Sequence, residues 1–217
     1  LALARQKKWA EAREKYKNVE FSITALPVDL QRIIILDAFR ASLEVKDYPG
    51  AAVRSNDLDV LGVGPDQSAA VAVLRGRLAE ALGRDQEALA AFAAASGSAD
   101  RPSAAEAKVR EIALRQKREE ITDEEALHEL EILSVTWRGD SIEVKTLSML
   151  GRLYAAKGRY QEAFAAERRA TELEPNSPTS RKMQDEASAL FEQIYNGTKG
   201  DELPPVEALA MFYEFRD

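Results

Sequence analysis

Residues 144–177 read VKTLSMLGRLYAAKGRYQEAFAAERRATELEPNS, and this stretch decides the fold. Leu147, Leu150, Leu153 and Tyr154 return at i, i+3, i+4 steps, the spacing of a helix with one buried stripe. Gly158 then interrupts the pattern, and a polar turn leads into a second apolar-periodic run that ends ahead of Pro175. The spacing predicts two helices joined by a tight turn and packed against each other.

Outward from this pair, one phrase recurs: a polar turn, often with an aromatic residue, then an acidic or small residue followed by alanine at the start of an apolar helix. It reads KKWAEA to Ala12, DYPGAA to Ala52, GRDQEA to Ala88, TDEEA to Ala126, GRYQEA to Ala163 and PPVEA to Ala208. The alanines are 40, 36, 38, 37 and 45 residues apart, a period that points to repeated helix pairs. First helices are expected near 27–46, 67–82, 102–118, 140–157 and 178–195. Second helices are expected near 7–20, 49–60, 85–96, 123–136, 160–173 and 204–215. Pro27, Pro49, Pro65, Pro102, Pro178 and Pro204 fall at helix starts, where a missing amide costs nothing. The Asp123-Glu124-Glu125 run suits the positive end of a helix macrodipole.

Composition agrees with an all-α class. Hydrophobic residues make up 45% of the 217, with aromatics at only 7%, so the core is built from small side chains that let helices approach closely. β-branched residues are too sparse for a sheet protein.

Segment 144–177 resembles a tetratricopeptide repeat (TPR). The resemblance is carried by Leu147, Leu150, Gly151, Tyr154, Gly158, Tyr160, Ala163, Ala170 and Pro175. Segment 69–102 is similar through Gly76, Gly83, Ala88, Phe92 and Ala95. Other repeats diverge: Arg40 and Leu114 hold the small-residue place of the first helix, Lys117 an aromatic place, and Glu167 the place of a large apolar residue. The resemblance implies a right-handed α-α superhelix of antiparallel pairs, one solenoid over 1–217. Its repeats would lie about 27–60, 67–96, 102–136, 140–173 and 178–215, after a truncated one whose second helix is 7–20. It also implies that Gly151 and Ala163 let the paired helices touch while Tyr154 fills the gap between them.

The chain excludes much chemistry. A formal charge of -7 argues against general nucleic-acid binding, which needs clustered cations. The absence of cysteine removes disulfides, thiolate metal sites and thiol nucleophiles. A lone His128 leaves no metal set, and no nucleophile with a partnered base can be assembled. Gly62-Val63-Gly64 lacks the strand and the Gly-Lys-Ser/Thr of a phosphate loop and reads as a connecting turn. Asn196-Gly197-Thr198 fits a glycosylation acceptor and equally a loop. No catalytic residue, cofactor or metal is expected. No apolar run approaches a membrane span, and no compartment is assigned. The chain reads as a fragment: it begins at Leu1, its opening helix reads as the second of a pair, and the Met211–Phe215 face calls for a covering helix. Trp9 with Tyr16 and Phe212 with Phe215 would then be interfaces to absent repeats or a route to a homodimer.

In TPR proteins exposed positions of the first helices line a concave groove. Carried onto this sequence, they give a basic ladder of Arg77, Lys108, Arg115, Arg118, Lys145 and Arg152. The ladder would suit the carboxylates of an acidic peptide or protein partner. The plain alternative is that these residues pair with nearby Glu80, Glu106 or Glu111. The expected function is a non-catalytic protein–protein interaction scaffold. The alternatives are a non-catalytic superhelical region of a larger enzyme or of a transcription regulator.

Overall fold

The computed structural model describes residues 2–18, 20–201 and 203–215, so the expected domain limits at 1 and 217 lie outside the described residues. Among the described residues the regular secondary structure is all helical, with neighbouring helices packed in pairs, as the apolar periodicity predicts. In chain order the helices are α1 (Ala2–Arg5), α2 (Trp9–Asn18), α3 (Glu20–Ile23), α4 (Val28–Glu44), α5 (Tyr48–Leu61), α6 (Ser68–Ala81) and α7 (Asp85–Ser96). They continue with α8 (Arg101–Lys117), α9 (Asp123–Thr136), α10 (Ser141–Ala156), α11 (Tyr160–Leu173), α12 (Pro178–Tyr195) and α13 (Pro205–Phe215). The chain divides into two compact units, Leu1–Leu114 and Arg115–Asp217, the division falling within α8.

One turn is used again and again. A left-handed residue follows the helix end at Lys7 (φ 56), Lys46 (φ 60), Gly83 (φ 72), Glu119 (φ 57) and Gly158 (φ 75). In each case the next amide donates to the carbonyl five residues earlier: Lys8 to Leu3 at 3.0 Å, Asp47 to Ser42 at 2.8 Å, Arg84 to Ala79 at 2.8 Å, Glu120 to Arg115 at 2.9 Å, and Arg159 to Tyr154 at 2.9 Å. This six-to-one bond closes the helix and reverses the chain. Only two of these places carry glycine, the residue that adopts the conformation without strain, so the sequence marked only those two. Within the described residues α2 thus has α1 ahead of it, and α1 ends in the same turn that precedes α5, α7, α9 and α11 but not α13.

The turns also correct the repeat register. Ala12, Ala88, Ala126 and Ala163 are buried, but in the second phrase the fully buried residue is Ala51, with Ala52 only partly covered. Ala12, Ala51, Ala88 and Ala163 each stand five residues past the left-handed residue. Ala126 stands seven past Glu119, because Ile121 and Thr122 are interposed. There Thr122 and Glu125 form a reciprocal capping box, with the Glu125 amide donating to Thr122 Oγ1 at 3.2 Å and the Thr122 amide to Glu125 Oε2 at 2.8 Å. Other caps are equally local. Asp140 accepts from the Ile142 and Glu143 amides, and Ser177 accepts from Ser180 ahead of Pro178 at the first position of α12. Pro65 is the exception among the prolines, since it lies in the turn before α6 and not at the helix start.

In the first unit, Ala4, Ala12, Tyr16, Ala38 and Ala41 pack α1 and α2 on α4. Ile35, Phe39, Leu58, Val71 and Leu74 join α4, α5 and α6. Val73, Ala88, Phe92, Ala107 and Leu114 join α6, α7 and α8. In the second unit, Val144, Leu147, Ala166, Ala170 and Met183 bury α10 and α11 against α12. Phe164, Ile194 and Met211 then form an aromatic-rich cluster with Phe191, Tyr195 and Phe215. The apolar faces expected to be interfaces are covered in part within the chain. Tyr16 and Met211 are buried, and Phe215 stacks 5.3 Å from Phe164. On the opposite side of α13, Val206, Leu209 and Tyr213 remain exposed.

Candidate functional site

The six basic residues of the expected ladder all lie on or directly after first helices of the pairs, but their surroundings differ. Arg77, on α6, is held between Glu44 of α4 at 2.7 Å and Glu106 of α8 at 3.4 Å, with its side chain only 12% exposed. Arg110 continues this line, meeting Glu106 and Glu80 each at 3.2 Å. The result is a chain Glu44–Arg77–Glu106–Arg110–Glu80 with three carboxylates and two guanidiniums, so it is net acidic. Removing one member would strand half-buried charge, which makes this a structural network. Lys108 stands beside Glu111 at 3.9 Å on the same helix.

The second unit holds the others. Arg115, on the last turn of α8, pairs with Glu129 of α9 at 3.4 Å, and Arg118, just past the helix end, pairs with Glu120 at 2.7 Å. On α10, Lys145 is exposed, and Arg152, 51% exposed, meets Glu186 of α12 at 3.1 Å. Lys182 shares that carboxylate at 3.7 Å. Lys145 and Arg152 are seven residues apart and so occupy one helix face.

Of the three acidic partners anticipated from sequence, Glu106 takes Arg77 and Glu111 takes Lys108, while Glu80 serves Arg110 instead of a ladder residue. Glu44, Glu120, Glu129 and Glu186 were not anticipated. A signal for two of them exists in the spacing. Glu44–Arg77 and Arg152–Glu186 lie 33 and 34 residues apart, as do Lys157–Glu124 and Arg13–Asp47. Opposite charges one repeat length apart are neighbours on adjacent pairs. At the last of these, the Arg13 guanidinium, helped by the Gly50 amide, holds the Asp47 carboxyl below its ordinary range.

Tyr154 has a different place from the one expected. Its hydroxyl donates to Glu131 Oε1 of α9 at 3.0 Å, and the Arg159 guanidinium lies 4.3 Å over its ring. Burial, then the bond to Glu131, pushes the phenol up to about 12. Arg159 itself reaches Glu131 at 3.1 Å and Glu162 at 2.9 Å. The side chain therefore ties α10 to α9 and to the following turn.

His128 is exposed on α9. Among the described residues no group of three or more His, Asp or Glu is placed to hold a metal ion. Gly62 and Gly64 lie in the connection from α5 to α6, where the Gly62 and Leu61 carbonyls accept from Arg32 at 2.7 and 3.0 Å. Asn196 caps the end of α12. No described helix is long and apolar enough to cross a membrane. The chain matches no protein-family model, no curated protein and no solved structure.

Proposed function

We propose that the chain is a divergent tetratricopeptide-like, non-catalytic interaction scaffold that holds an acidic segment of a protein partner against its first helices. The observation that carries this reading is the exposed cationic face of α10, where Lys145 and Arg152 stand two turns apart on an otherwise acidic protein. Arg152 is the most exposed of the paired ladder arginines, and its partner Glu186 is shared with Lys182, so a peptide carboxylate can exchange for it at small cost. Arg77 contributes by fixing α6 between α4 and α8, not by contact with the partner. The test is titration of a labelled acidic peptide against the wild type and the Lys145→Glu, Arg152→Glu double variant. Binding should weaken about tenfold or more, and wild-type affinity should fall with added salt. Unchanged affinity in the double variant, with circular dichroism confirming an intact fold, would sink the reading.

A further inference from the structure

The two best-matched repeats differ at one inward position, and a cavity marks the difference. In the α6–α7 pair the fully buried Phe92 ring lies against Gly76, so close that a Cβ there would stand 2.5 Å from Cε1 and 2.7 Å from Cδ1. Seventy-five residues on, the α10–α11 pair has Gly151 for Gly76 and Glu167 for Phe92. The helix approach is kept and the ring is gone. A Cβ on Gly151 would meet nothing nearer than 3.7 Å. A cavity of about 330 Å³ opens there, walled by Gly151, Ala163, Phe164, Glu167, Met183 and Leu190, with Arg152 and Glu186 among its other lining residues.

We propose that this cavity binds a small single-ring aromatic molecule of the phenol class, which takes the place that the Phe92 ring holds in the other pair. Its volume falls at the lower end of small-ligand pockets. The Phe164 ring and the Met183 thioether are walls that favour an aromatic guest over an aliphatic one. The guest needs a donor because Glu167 is half-buried and its carboxylate only accepts. Glu167 Oε1 is held by Thr171 Oγ1 at 2.9 Å, which fixes the group at the cavity wall. A hydroxyl on the ring satisfies the carboxylate, whereas a plain hydrocarbon leaves it facing apolar surface. The cavity shares Arg152 and Glu186 with the face proposed for the acidic peptide, but its test reads Gly151 and Glu167, so either reading can fail alone.

The experiment is a p-cresol titration of the whole chain, followed by amide shifts in NMR, with toluene as the ring without a donor. Saturable shifts are expected at Gly151, Ala163 and Glu167, with toluene about tenfold weaker, as for loss of one bond to a charged acceptor. Glu167→Phe supplies the ring from the chain itself, so it should abolish p-cresol binding and raise the melting temperature. Glu167→Leu keeps part of the space without the acceptor and should lose the preference for p-cresol over toluene. The proposal is overturned by the absence of saturable p-cresol shifts in the wild type, by undiminished binding in Glu167→Phe, by a lower melting temperature in that variant, or by a retained preference in Glu167→Leu.

Discussion

The α6–α7 and α10–α11 hairpins begin from the same instructions and finish differently. Both turn on a left-handed glycine, Gly83 and Gly158, and both bury the alanine five residues later and a second alanine, Ala95 and Ala170, near the end of the second helix. The first closes on a ring, with Phe92 seated on Gly76. The second has Glu167 at that place and an open space beside Gly151. Where the first has the buried Ala79, the second has Tyr154, reaching outward to Glu131. Turn chemistry and small residues bring two helices together; the side chain between them decides whether the pair is held from inside or through its neighbours.

The sharpest way to break this comparison is to put the same methyl group into both pairs. In Gly76→Ala the new Cβ must push aside a fully buried ring, and overpacking of this kind costs about 1–3 kcal/mol. The gain in helix propensity, about 1 kcal/mol at most, offsets only part of it. Urea denaturation should show a lower midpoint than wild type. A midpoint at or above wild type would mean that Phe92 is not fixed against Gly76.

This contrast also marks the limit of what the sequence made legible. The all-α class and the helix pairs followed from apolar periodicity, since the buried stripe is a local pattern along the chain. The turns at Lys7, Lys46 and Glu119 were hidden because non-glycine residues accept the left-handed conformation there under tertiary constraint. The segment richest in signature residues, 144–177, is the less tightly filled pair, because its departure at Glu167 falls at the place that Phe92 fills in 69–102. The basic ladder was legible as residues and not as surroundings. Arg77 looked like a binding residue until Glu44 and Glu106, remote in sequence, closed around it.

Tyr154 gives a smaller effect that tests the outward tie. Its folded-state value of about 12 lies above the ordinary 10.0, so the folded state retains the phenolic proton more firmly. The contribution is fully present below pH 10 and is lost as pH rises through about 12. Tyr154→Phe keeps the ring beneath Arg159 and deletes the bond to Glu131, which should cost about 0.5–1.5 kcal/mol near neutrality. The gap between variant and wild type should narrow across the alkaline range, read from urea midpoints and from phenolate absorbance. A gap that does not change with pH would remove Tyr154 as the tie between α10 and α9. Tyr16, also raised to about 12, is present in both proteins and cancels in the difference.

The smallest effect carries the opposite sign. In Gly151→Ala the added Cβ would find the Ala163 carbonyl at 3.7 Å and the Ala166 Cβ and Met183 Cε each at 3.8 Å, all ordinary contacts. With no clash to oppose it, the loss of glycine's unfolded-state freedom inside a helix should stabilise the protein by about 0.5–1 kcal/mol. One substitution, made at equivalent places of two similar hairpins, is thus expected to lower stability in the first and raise it in the second. If Gly151→Ala destabilises as much as Gly76→Ala, the two pairs are packed alike and the space beside Glu167 is not open. If it stabilises, the glycine at 151 is not needed for close approach, and the room around it is available to a guest ring.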